Sequence, residues 1–143
     1  MLVREAIGFA RSGTQASQLS QYYNGHFTNL NGRPRMIARI WHGYTTPENA
    51  NTYEAMLKPE VLPGISRVKG FRGSYFLRRE LGPELDSEVE FVTILLWESL
   101  VTLRDFAGPN YEAAVVPPER RKVLSRFDER ASHYEEILSP PGI

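Results

Sequence analysis

The stretch "VEFVTILLW" (89–97) constrains this chain more than any other. Side chains alternate between the two faces of a strand. Val89, Phe91, Thr93, Leu95 and Trp97 therefore share one face, and Val92, Ile94 and Leu96 the other. A sheet with helices on one side and water on the other should alternate apolar and polar residues. This strand is apolar on both sides, so both sides need cover. A chain of 143 residues suits a single domain, and its elements are too few for a further layer. The economical cover is a second copy of the same sheet in a two-fold dimer, which avoids leaving a wide apolar face wet. Local cover by the N-terminal segment is the other reading.

The flanking segments give an order of elements. "MIARIWHGY" (36–44) is a β-branched and aromatic run and predicts a first strand. In "TTPENANTYEAMLK" (45–58), Thr46 fits a helix N-cap, Pro47 the first helical position and Glu48 the positive first turn. Ala50, Tyr53, Met56 and Leu57 recur at helical spacing, and Pro59 with "LPG" (62–64) limits or kinks the helix. "GFRGSYFLRREL" (70–81) predicts a second strand, with Phe71, Tyr75 and Leu77 on one face and Arg72, Ser74, Phe76 and Arg78 on the other. "GPELDSE" (82–88) is a turn-rich connection to the third strand. Ser99 can cap a helix over 99–107, with Leu100, Leu103 and Phe106 or Ala107 as its buried stripe and Gly108-Pro109 as its end. The segment 111–127 reads as helical in pieces, broken at Pro117-Pro118, and "ASHYEEILS" (131–139) as the last strand. The order β-α-β-β-α-β predicts an α+β, ferredoxin-like fold, a four-stranded antiparallel sheet with helices on one face.

Residues 1–35 differ in character. They are rich in Ser, Gln, Asn and Gly, show no sustained period, and carry Arg4, Arg11, Arg33 and Arg35 against Glu5. The start lacks the apolar core and cleavage site of a signal peptide. The expectation is a poorly structured extension or an arm that embraces a neighbour, followed by a folded domain over 36–139 and a tail over 140–143. Met36 opens a strand directly and could be the initiator.

Lys+Arg and Asp+Glu both number 17. This balance points to neither nucleic acid nor an anionic membrane as partner. The apolar runs fall far short of the roughly 20 residues that span a bilayer. There is no cysteine, which excludes disulfides and thiolate metal sites and is compatible with the cytoplasm. His26, His42 and His133 are not at metal-ligand spacing, so no metal is expected.

The ordered set "MIARIWHG", "GFRGSYFLRRE", "FVTILLWES", "LRDFAG" and "HYEEIL" resembles the antibiotic biosynthesis monooxygenase family, within the dimeric α+β barrel superfamily. The resemblance covers about 36–138. It implies a homodimer whose two sheets face each other as a barrel, and a pocket in each subunit between sheet and helices. It also implies chemistry on a small aromatic ligand. Some relatives oxidise aromatic phenols with molecular oxygen and no cofactor, others oxidise quinols, and one branch degrades haem. The haem branch uses an asparagine on the first strand and a tryptophan and a histidine on the helix after the third. Here those places hold His42, Phe106 and Val116. The proximal ligand that haem iron needs is missing, so the expectation is an oxygenase without cofactor. A non-catalytic binding or structural protein of the same fold is the alternative.

Oxygenation of a phenol or enol needs a base, a dry aromatic pocket and a donor for the developing oxyanion. His42 is the leading base, since an imidazole titrates near neutral pH; it could equally be a strand-end histidine bonded to backbone. His133 is the second base candidate, or an interface histidine. Tyr75 could donate to an oxyanion or stack on a ring. Trp97 either walls the pocket or plugs the sheet edge. Phe106 and Tyr111 flank Gly108-Pro109, a natural lid position. Arg39 and Arg72, on faces expected to be covered, must be paired or must hold anionic groups of a substrate. The run "PERRKVLSR" (118–126) reads as a solvated helix face.

Overall fold

A computed structural model describes residues 28–60, 62–65, 67–84 and 87–141, leaving aside the side chains of 58–60, 62 and 63. His26 and the expectations for 1–27 lie outside the described residues. The strands are β1 (Ile37–Thr45), β2 (Phe71–Glu80), β3 (Val89–Trp97), β4 (Arg126–Phe127) and β5 (Ser132–Glu135). The helices are α1 (Pro47–Glu60), α2 (Leu62–Ile65), α3 (Leu100–Ala107) and α4 (Pro118–Val123). The sheet is antiparallel in the order β2-β3-β1-β4, with β5 also on β1. β4 and β5 together take the place of the last strand of the ferredoxin-like pattern.

The third strand forms over the expected residues, and its two faces have different fates. Val89, Phe91, Leu95 and Trp97 are buried against the helices. They join two clusters, one around Ile37, Trp97, Leu100 and Leu103, the other around Ala50, Tyr53, Leu57 and Phe91. The opposite face carries Ile40, Val92, Ile94 and Leu96, flanked by half-exposed Tyr75, Leu77 and Tyr134. Among the described residues no helix lies over this face, and no described helix is long and apolar enough to cross a membrane.

Local chemistry explains α3. Ser99 is extended, its hydroxyl accepts from the Thr102 N–H at 3.2 Å, and Thr102 Oγ1 accepts the Ser99 N–H in return. This is a capping box with threonine in the reciprocal position. Gly108, at φ 85°, ends the helix by donating its N–H to the Arg104 carbonyl.

Four expectations need correction. Phe71 does not share a face with Tyr75, because a bulge between Phe71 and Gly73 shifts the register. Phe71 therefore packs on Trp97 at 5.7 Å, on the helix side, with Phe76. The predicted last strand (131–139) shortens to Ser132–Glu135, because residues beyond it turn to pair with the N-terminal segment. The segment 111–117 is a turn followed by extended chain rather than a helix: Ala113 N–H donates to the Asn110 carbonyl, Ala114 N–H to the Glu129 carbonyl and Ala131 N–H to that of Glu112. Finally, residues 28–35 are tied down. Asn29 is buried, its Oδ1 accepts from the N–H groups of Asn31 and Arg33, and its amide donates to Glu136 and Ser139.

Candidate functional site

A cleft of about 150 Å³ lies between the sheet and its helical cover. Its floor is the inner face of three strands, Arg39 and Trp41 from β1, Thr93 and Leu95 from β3, and Phe76 from β2. Its rim comes from Ile65 of α2, Phe106 of α3, Ala114 and Val115 of the extended segment, and Arg120 of α4. Phe106 and Val115 are 45% and 70% exposed, so the cleft opens between them.

Trp41 is set by a glycine two residues on. A Cβ at Gly43 would stand 2.7 Å from the indole and 3.1 Å from Leu124, so the ring lies along the strand across Gly43. In that pose Trp41 Nε1 donates to the Asp128 carbonyl at 2.7 Å. The polar edge of the indole is thereby satisfied, and its ring is left to the cleft.

Arg39 is 7% exposed, and burial alone pushes its pKa down. Its partners are neutral. Nη1 donates to the Tyr111 carbonyl and meets His133 Nε2 at 2.9 Å, and Nη2 donates to the Ala113 carbonyl at 3.0 Å. A guanidinium has only N–H donors, so Nε2 of His133 must be the acceptor and the ring proton sits on Nδ1. Burial first, then the adjacent Arg39 charge, lower the His133 pKa to about 4, with Glu112 opposing. His133 is neutral at pH 7 and its Nε2 is occupied. Its ring also meets Tyr111 edge-on at 5.1 Å.

His42 points the other way, to the open face of the sheet. Its Nδ1 lies 2.9 Å from Asp128 Oδ2, and the Asp128 N–H donates back to the His42 carbonyl. A carboxylate on Nδ1 orients the imidazole and leaves Nε2 to accept a proton. This pair forms where β4 ends and the chain leaves β1.

Of the residues singled out from sequence, Arg39 and Phe106 line the cleft. Trp97 and Tyr111 stand one layer behind it. Trp97 is fully buried with its ring 5.0 Å from Phe106, and Tyr111 supplies the carbonyl that holds Arg39. His133 reaches the site only through Arg39. Tyr75 is on the open face, and half-exposed Arg72 pairs with Glu98 at 3.2 Å, away from the cleft. Sequence reasoning missed Trp41, Phe76, Thr93 and Arg120. Alternation from Arg39 would have found Trp41; nothing local marks Arg120.

No protein-family model matches the chain, and no curated protein matches it. Among solved structures, it is similar to the crystal structure of a putative antibiotic biosynthesis monooxygenase from Bacillus cereus, with a TM-score of 0.54 and 14% identity. The match covers 76% of this chain and 99% of that one. At that identity the likeness is one of fold: the chain is an α+β protein with the ferredoxin-like architecture seen in that monooxygenase structure.

Proposed function

We propose that this protein binds a small aromatic molecule in the cleft between its sheet and its helices, as a monooxygenase-like member of the dimeric α+β barrel superfamily. The observation that carries this reading is the lining itself. Trp41, Phe76 and Phe106 surround a space of about 150 Å³, the size of a cavity that takes a single benzene-like ring. The apolar open face supports a homodimer through sheet-to-sheet packing, since exposed patches of this kind mark association sites. A cytoplasmic setting accords with the lack of cysteine.

Turnover is the second reading, and the His42–Asp128 pair favours it. Cofactor-free oxygenation of a phenol, anthrone or quinol needs a base, and among the described residues no free imidazole lines the cleft. His42 has the geometry of an oriented base. It would serve a substrate held against the open face, between two copies, rather than one in the cleft. Binding without turnover therefore ranks first.

Oxygen uptake with a panel of hydroxylated anthrones, naphthols and quinols separates the two readings. Uptake lost in His42→Ala establishes the oxygenase. A rate equal to buffer, from folded protein that still binds single-ring aromatics by calorimetry, establishes the binding protein. Folded protein that binds no aromatic probe and consumes no oxygen overturns both.

A further inference from the structure

Arg120 belongs to a run of charges that reads as a solvated face, yet the structure turns it inward. It sits in the first turn of α4 and lines the cleft with Trp41 and Phe76. Its Nε is fully buried and has no hydrogen-bond partner. The next residue behaves as a surface arginine should: Arg121 is exposed, donates to the Val116 carbonyl and lies 5.7 Å from the Phe127 ring.

Arg39, the other cation of the cleft, uses two carbonyls and a neutral imidazole. Its remaining N–H groups have no protein partner among the described residues. Among the described residues no carboxylate lines the cleft and none pairs with either guanidinium. The Tyr53 hydroxyl beside Arg120 does not neutralise it: burial raises the Tyr53 pKa, and the phenol stays protonated. Two guanidiniums, one buried and one partly buried with its Nε enclosed, thus line one small cleft with no carboxylate partner among the described residues. Burying a charge or a donor without a partner is costly, and that cost falls on the buried Arg39 and on the enclosed Nε of Arg120. An anionic occupant relieves both, and a carboxylate matches the fork of a guanidinium.

Resting on the reading of the cleft as a ligand site, we propose that its ligand is a single-ring aromatic carboxylate. The ring lies among Trp41, Phe76 and Phe106, and the carboxylate sits on Arg120, with Arg39 as the second donor. The lining accounts for the ring, the volume for its number, and the enclosed, unpartnered Nε of Arg120 for the charge.

Calorimetric titration of the full chain with benzoate, benzyl alcohol and 2-naphthoate tests this. Benzoate is expected to bind at least tenfold more tightly than benzyl alcohol, which has the ring without the charge, and than 2-naphthoate, which has the charge and one ring too many. Arg120→Gln should weaken benzoate at least tenfold and so erase its preference over benzyl alcohol, and Arg120→Lys should recover part of the loss. Equal affinity for benzoate and benzyl alcohol in the wild type overturns the anion assignment alone. So does a folded Arg120→Gln protein that keeps its benzoate affinity. Failure of every probe to bind folded wild-type protein removes the cleft as a ligand site, and this inference with it. The comparison of probes on the wild type needs no variant, so it stands even if Arg120→Gln does not fold.

Discussion

Arg39 Nη1 and His133 Nε2 are 2.9 Å apart, on residues paired across β1 and β5. A permanent cation and a titratable ring share one hydrogen bond, and the bond exists only while the ring is neutral. In this arrangement His133 is a fixed acceptor that aims a guanidinium.

This relationship gives the protein an acid-sensitive joint. The His133 pKa is near 6.5 in the unfolded chain and about 4 in the fold. The neutral ring's contribution is complete above pH 6.5 and is lost as pH falls through the window toward 4. The loss reaches about 3 kcal/mol at most. Urea unfolding between pH 4 and 7 should show stability falling with acid, and His133→Gln should flatten part of that slope. An identical slope in the variant counts against the contact.

Gly43→Ala should disturb the cleft without touching its surface. The new methyl meets the Trp41 ring at 2.7 Å, so the indole must tilt and its bond to the Asp128 carbonyl must stretch. Overpacking of this kind costs about 1–3 kcal/mol. A lower Tm together with a shifted tryptophan emission is the expected result; unchanged emission would show that the ring does not lie across the glycine.

The apolar open face should drive self-association. Ile94→Glu, in the middle of that face, is expected to give a monomer by light scattering with its cleft intact. Leu77→Glu, near the sheet edge, should weaken the dimer less. Wild-type protein that remains monomeric at high concentration would remove the sheet-to-sheet dimer.

Asn29 holds the N-terminal segment against the C-terminal one through bonds of 3.0 Å to both Glu136 and Ser139. Asn29→Ala leaves two backbone N–H groups and a carboxylate without their partner. About 1–3 kcal/mol should be lost, with faster amide exchange confined at first to 28–35 and 136–139. Unchanged Tm and exchange would mean that the segment is not part of the folded unit.

The sequence carries the fold well where the signal is local. The limits of β3, the Ser99 cap and the Gly108 stop follow from side-chain chemistry within a few residues. It carries less where a partner is remote. Asn29 sits in a stretch of polar, turn-forming residues, and the partners of its amide nitrogen stand more than 100 positions away. Phe71 was placed on the wrong face because one inserted residue reverses the alternation. Gly73, at φ 142°, sits at that bulge. Arg120 is legible only in three dimensions, since the sequence of a charged run does not say which member turns inward. Arg39 could be read because an arginine on an otherwise apolar strand face stands out.

Both rims of the sheet are unfit for adding strands. On one side β2 carries the bulge at Gly73 and ends in exposed Arg78, Arg79 and Glu80. On the other, β1 is bordered by two short pieces with the Asp128 detour between them. Interrupted and charged borders discourage the chain-on-chain growth that leads to fibres. Among the described residues the sheet is thus closed at its sides and left uncovered on one apolar face. A pair of copies meeting on that face would leave no second such face to recruit a third, so the arrangement we propose would hide a greasy surface without polymerising.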